Sequence, residues 1–160
     1  MNWYIAINSS HYAFFQFSVF HPNSTEVPAD IKDVVYNTAA RTGSIDEWNF
    51  LVEKFQTAMV DSDRSKYLSA LSATEDPVTL LKLLNMTIYR DDSGIRLQDC
   101  IYVYRSVSVN KVGRNVAMNW LSDSYEEIVD SLGEAGSNAG GGGFARLAST
   151  IIGNTNIYKL

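Results

Sequence analysis

Two histidines, one cysteine, a glycine run and scattered carboxylates are the residues of this 160-residue chain whose types could do chemistry. His11 and His21 stand ten residues apart, and neither is followed by glutamate. A hydrolytic zinc site of the His-Glu-x-x-His kind needs two imidazoles at i and i+4 of one helix, so that both nitrogens reach one ion. These two histidines cannot build it, and no metal or other cofactor is expected in this chain. Cys100 falls on the apolar side of a helical pattern. There a buried, inert thiol is expected rather than a nucleophile, which needs access and a lowered pKa. Gly140 to Gly143 lacks the Lys-Ser/Thr ending and the preceding strand of a phosphate-binding loop, and reads as a linker. Asp61, Asp63, Asp91, Asp92, Glu126 and Glu127 sit in turns and helix starts, where capping explains them. What remains is the polar group Arg96, Gln98 and Asp99. It could offer a guanidinium to a carboxylate, or it could cap and cross-brace neighbouring helices. No catalytic residue is assigned.

The element that must position this group runs from Ser93 to Leu121 and reads as two helices across a tight turn. Asp91 to Gly94 forms a polar turn. Cys100, Val103, Tyr104 and Val107 then recur at i, i+3, i+4 and i+7, one apolar helical face. Asp99 lies in the first turn, where a negative charge suits the helix dipole. Asn110 to Gly113 interrupts the face, which resumes with Gly113, Val116, Ala117, Trp120 and Leu121. Such a pair is an αα-hairpin, the unit of helical-repeat proteins.

The same signals recur along the chain. A first helix carries Ile31, Val34, Val35, Thr38 and Ala39 on one face and stops at Arg41-Thr42-Gly43. Ser44 and Glu47 have the spacing of a capping box, and the helix they open should bury Trp48, Leu51, Val52, Phe55 and Met59. A third helix carries Tyr67, Leu68 and Leu71. Asp76-Pro77 starts a fourth, with an N-cap acid and a proline at the first helical position, and Leu80, Leu81, Leu84 and Ile88 on its apolar face. Ser124 and Glu127 repeat the capping-box spacing ahead of Tyr125, Ile128, Val129 and Leu132. Residues 133–143 form a glycine-rich linker, and Phe144 to Ile152 a last helix. The expected fold is all-α, with about seven or eight helices in an α-α superhelix of stacked hairpins, HEAT- or armadillo-like.

Bulk properties narrow the function. A formal charge of −5 with no basic run excludes nucleic acid as a partner, since phosphate binding needs clustered Lys and Arg. A single cysteine rules out an internal disulfide framework. Sequons at Asn8, Asn23 and Asn85 mark possible N-glycosylation and a mild leaning toward secretion. Residues 1–20 have no Lys or Arg, and Asn8 to His11 splits their apolar part. They read as neither signal peptide nor membrane span, but as a divergent extension or a foreign leader.

Several segments carry a family resemblance. IRLQD (Ile95 to Asp99) and VGRNVAMNWL (Val112 to Leu121), with VVYNTAARTG (Val34 to Gly43), EWNFLVEKF (Glu47 to Phe55) and YLSALSATEDP (Tyr67 to Pro77), resemble the C-terminal helical domain of the aminopeptidase N family in the same order. FHPN (Phe20 to Asn23) resembles the entry to its first hairpin. The resemblance implies that residues 21–160 are this domain, incomplete at its C-terminal end, and that zinc and chemistry reside in a catalytic domain elsewhere. It implies a bowl that closes over the zinc domain, whose inner wall meets the far end of a bound peptide, with Arg96, Gln98 and Asp99 as peptide-facing candidates. Many extracellular members carry cysteines where this chain has Asn37 and Ala73, so that bond would be missing here. By resemblance the location is extracellular or at the plasma membrane, although the chain shows no signal peptide or membrane span. The alternative to a chamber-closing domain is a free-standing helical module that binds a protein partner, and a gene remnant without a role stays open beside both.

Overall fold

The structure, a computed structural model, describes residues 31–136 and 143–156. Every regular element among the described residues is a helix: α1 Lys32–Thr42, α2 Ile45–Thr57, α3 Asp61–Leu71, α4 Pro77–Ile88, α5 Arg90–Ser93, α6 Leu97–Val109, α7 Gly113–Asp123, α8 Tyr125–Gly136 and α9 Gly143–Asn156. The turns between them are short, as expected of stacked helical hairpins. The chain divides into two compact units, Met1–Thr74 and Glu75–Leu160.

In the first unit, α3 packs on both α1 and α2. Ser44 opens α2 with the expected capping box. Its hydroxyl accepts from the Asp46 N–H, and the Glu47 carboxylate accepts from the Ser44 N–H at 2.7 Å. Trp48, Leu51 and Phe55 are buried, and the Trp48 indole N–H donates to the Leu71 carbonyl at 3.1 Å. Arg64 lies 4.4 Å from the Phe55 ring centroid and donates to the Phe55 carbonyl. Two expected faces turn out differently. Met59 is 96% exposed, because α2 ends at Thr57 and the chain there is extended. On α1 the buried residues are Tyr36, Ala39 and Ala40, with Val34 outside, because the Tyr36 ring packs 5.2 Å from that of Tyr67 and draws the helix round.

In the second unit, α4 packs on α6 and α7, while α9 packs on α6, α7 and α8. Asp76 caps α4 through the Thr79 N–H, with Pro77 at the first position. The four apolar positions expected on α6 are all buried, together with Ser108. On α4, however, Leu83 and Thr87 are buried with Leu80 and Leu84, whereas Leu81 is exposed and Ile88 only half-buried. Thr87 replaces Ile88 because its hydroxyl is fully satisfied, donating to the Leu84 carbonyl and accepting from the Tyr104 phenol at 2.9 Å. On α7, Val116 is half-buried while Gly113, Ala117, Trp120 and Leu121 are buried. On α8, Ile128 is buried and Tyr125 exposed.

The polar turn expected over Asp91 to Gly94 is instead the one-turn helix α5, ended by Gly94 in the left-handed region at φ 72°. Arg90 anchors it, donating to the Ser131 hydroxyl at 2.6 Å and the Ser131 carbonyl at 3.0 Å on α8. The linker expected over 133–143 overlaps the end of α8, which runs to Gly136, and the first residue of α9; residues 137–142 lie outside the described residues. So do His11, His21, Asn8, Asn23 and the extension over 1–20.

Candidate functional site

Arg96, Gln98 and Asp99 come together at the start of α6, and the preceding turn explains how they are held. The Ser93 hydroxyl donates to the Met86 carbonyl at 2.7 Å and accepts from the Ile95 N–H, tying the segment that leads into α6 back to α4. Ile95 is buried, which fixes the entry to the helix. Arg96 is the extended N-cap residue, and its Nε donates to the Asp99 Oδ2 at 2.8 Å and its Nη2 to Oδ1 at 3.4 Å. This is a two-point carboxylate–guanidinium pair at i, i+3 on the solvent-facing side of the turn. Gln98 lies in the same turn and is exposed.

One residue further on, Cys100 faces the other way. It is buried, its Sγ lies 3.5 Å from the Arg96 carbonyl, and burial pushes its thiol up to about 11. A thiol held so far above neutrality carries almost no thiolate at physiological pH and is not a nucleophile. Burial likewise pushes the Tyr104 phenol up, and its hydrogen bond to Thr87 is structural.

A second feature was not legible in the sequence. An open groove of about 450 Å³ runs between α4 and α7, with Pro77, Val78, Leu81 and Asn85 on one side and Val116, Asn119, Trp120, Asp123 and Ser124 on the other. At its floor the Trp120 indole N–H donates to the Asn85 Oδ1 at 2.9 Å. Indole is a donor only, so the amide must turn its oxygen inward. The partners are 35 positions apart, and no local spacing pairs them.

Among the described residues, no group of three His, Cys, Asp or Glu side chains is placed to hold a metal ion. With His11 and His21 followed by Tyr12 and Pro22, the residues of this chain do not fit a His-Glu-x-x-His zinc centre. No described helix is long and apolar enough to cross a membrane.

Among the described residues the fold is all-α, and the polar group at the start of α6 is held by the Arg96–Asp99 pair. The family profile described as "ERAP1-like C-terminal domain" matches residues 8–156, and the chain belongs to that family. Mouse aminopeptidase N is 28% identical over 139 residues, 87% of this chain and 13% of the relative. Rat glutamyl aminopeptidase is 25% identical over 115 residues, 71% of this chain and 12% of the relative. The human thyrotropin-releasing hormone-degrading ectoenzyme is 29% identical over 113 residues, 71% of this chain and 10% of the relative. The chain thus spans little more than a tenth of the length of these relatives, and it is the C-terminal domain type of aminopeptidase N-like enzymes.

Proposed function

We propose that this domain is a non-catalytic wall of an aminopeptidase N-like enzyme, closing the peptide chamber over a zinc-bearing catalytic domain carried elsewhere. The observation that supports it is the family match over residues 8–156, set beside relatives that are aminopeptidases many times longer. Helices joined by short turns and held within each unit by buried aromatic anchors suit the role, which asks for no chemistry of its own. Its partner is the catalytic domain, with the far end of a bound peptide as a second contact. The name of the ectoenzyme relative supports a location on the outer side of a membrane.

Within this reading, Arg96, Gln98 and Asp99 are the peptide-facing group. Arg96 is already paired with Asp99, so a peptide carboxylate competes with the Asp99 carboxylate instead of meeting a bare cation. The site therefore favours length selection by contact over tight anchoring.

The test is complementation. The catalytic portion of an aminopeptidase N-like enzyme lacking this domain is assayed alone and with the 160-residue chain. The reading predicts higher activity on long peptides and a raised melting temperature of the catalytic portion, with short chromogenic substrates little changed. No gain in either readout would overturn it in favour of a free-standing binding module.

A further inference from the structure

Each of the two helices that wall the α4–α7 groove gives it one stripe. On α4, Val78, Leu81 and Asn85 recur at i, i+3 and i+7, and on α7, Val116, Asn119, Trp120 and Asp123 recur at i, i+3, i+4 and i+7. Val78 is 72% exposed and Leu81 41%, large apolar side chains on a helix whose other face is buried. From Val78 to Asn85 the α4 stripe spans about 10 Å, two helical turns. A trough of this kind, with aliphatic groups on both walls, takes the apolar face of a further helix.

Charge says what that helix carries. Asp123 is the one ionisable side chain in the lining; it is exposed and is the last residue of α7. A carboxylate is poorly placed there, because the unpaired carbonyls of a helix C-terminus already hold negative partial charge. The last turn of α7 has no basic residue to offset it, and no lysine or arginine lines the groove. Among the described residues Asp123 forms no ion pair. Its acidic neighbours in sequence, Glu126 and Glu127 in the first turn of α8, add to the negative charge.

We propose that the α4–α7 groove docks a basic amphipathic helical segment of a partner polypeptide. Its aliphatic side chains lie between Val78, Leu81 and Val116, and its lysine or arginine meets the Asp123 carboxylate. The cation also serves the last carbonyls of α7, as a basic residue in that turn would have done. Asn119, one turn before Asp123, offers an amide to the polar flank of the segment. The inference stands on the groove alone, whichever enzyme the domain belongs to.

Trp120 makes the groove observable, because its indole N–H sits at the floor on Asn85 while Trp48 lies in the other unit. The full chain, labelled with a heavy nitrogen isotope, is titrated by NMR with a capped alanine-rich peptide. The peptide bears two leucines one helical turn apart and a lysine one turn further on; a second peptide has glutamate for the lysine. The expected result is a saturable movement of the Trp120 indole resonance with that of Trp48 unmoved. The lysine peptide should bind about two- to fivefold more tightly at low salt, the range of an exposed ion pair. That ratio should close at high salt. Leu81→Ser should weaken both peptides alike. Asp123→Lys should reverse the preference and melt no lower than the parent, since a cation suits the end of α7. No saturable movement, equal binding of the two peptides, or a preference that Asp123→Lys leaves unchanged overturns the proposal. A lower melting temperature for Asp123→Lys overturns it by making Asp123 structural. Movement of the Trp120 resonance with protein concentration alone overturns it in favour of a second copy of the chain.

Discussion

Among the described residues each unit buries one tryptophan, and the two are satisfied in different ways. Trp48 donates to a backbone carbonyl, that of Leu71 at the end of α3. Trp120 donates to a side chain, the Asn85 carboxamide in the middle of α4. A backbone partner survives a change of side chain at its position, whereas a side-chain partner does not. The first unit is therefore tolerant at Leu71, within packing limits. The second depends on asparagine at 85, which also lines the α4–α7 groove.

The strongest way to sharpen the contrast is to delete the anchors. Trp48→Ala and Trp120→Ala should each destabilise by about 3–5 kcal/mol, measured by denaturant unfolding. Both rings are almost fully buried, so neither site can collapse without loss. The next pair distinguishes the partners. Asn85→Leu leaves a buried indole N–H without an acceptor and should cost about 1–3 kcal/mol. Leu71→Met keeps the carbonyl and most of the volume and should cost less than about 1.5 kcal/mol. Equal losses for Asn85→Leu and Leu71→Met would erase the distinction.

Smaller effects follow from the helix starts. Ser44→Ala removes the capping box of α2 and should cost about 1 kcal/mol in thermal or chemical unfolding. Asp76 caps α4 through Thr79, whose hydrogen bonds hold its carboxyl below the usual carboxylate range. Its folded pKa is depressed, so its contribution is present above the unfolded value of about 3.9 and is lost as pH falls through the folded pKa. Asp76→Ala should therefore narrow its gap from the parent protein in acid.

Cys100 gives the opposite sign in base. Its thiol is raised from 9.0 to about 11 by burial, so between those values the native state holds a proton that the unfolded chain has lost. Stability should fall with rising pH over that window, and Cys100→Ala should flatten the slope. A disulfide reagent at neutral pH should label Cys100 only on unfolding.

Local chemistry explains which parts of this fold were legible in the sequence. Ser44 with Glu47, and Asp76 with Pro77, act within a single turn, and both caps form as the spacing indicates. The apolar face of α6 is equally clear, since Cys100, Val103, Tyr104 and Val107 admit one helical phase. On α4 the run of leucines admits more than one phase, and the choice is made by Tyr104, seventeen residues away, which satisfies Thr87. On α1 the phase is chosen by Tyr67. The turn over Asp91 to Gly94 looked polar because it is; that Arg90 would reach Ser131 and wind it into α5 lies in tertiary packing. The Arg96, Gln98, Asp99 group was visible as a cluster, but the pairing of Arg96 with Asp99 needed the geometry at the helix start. The groove depends on two helices meeting and had no local signature.

The most direct test of the domain's role is the mass of the product made in the native tissue, read by immunoblot with an antibody against residues 34–121. A role as the closing wall of an aminopeptidase N-like enzyme predicts a band several times heavier than 17.8 kDa, with aminopeptidase activity co-purifying. A single band near 17.8 kDa, without activity, would contradict it.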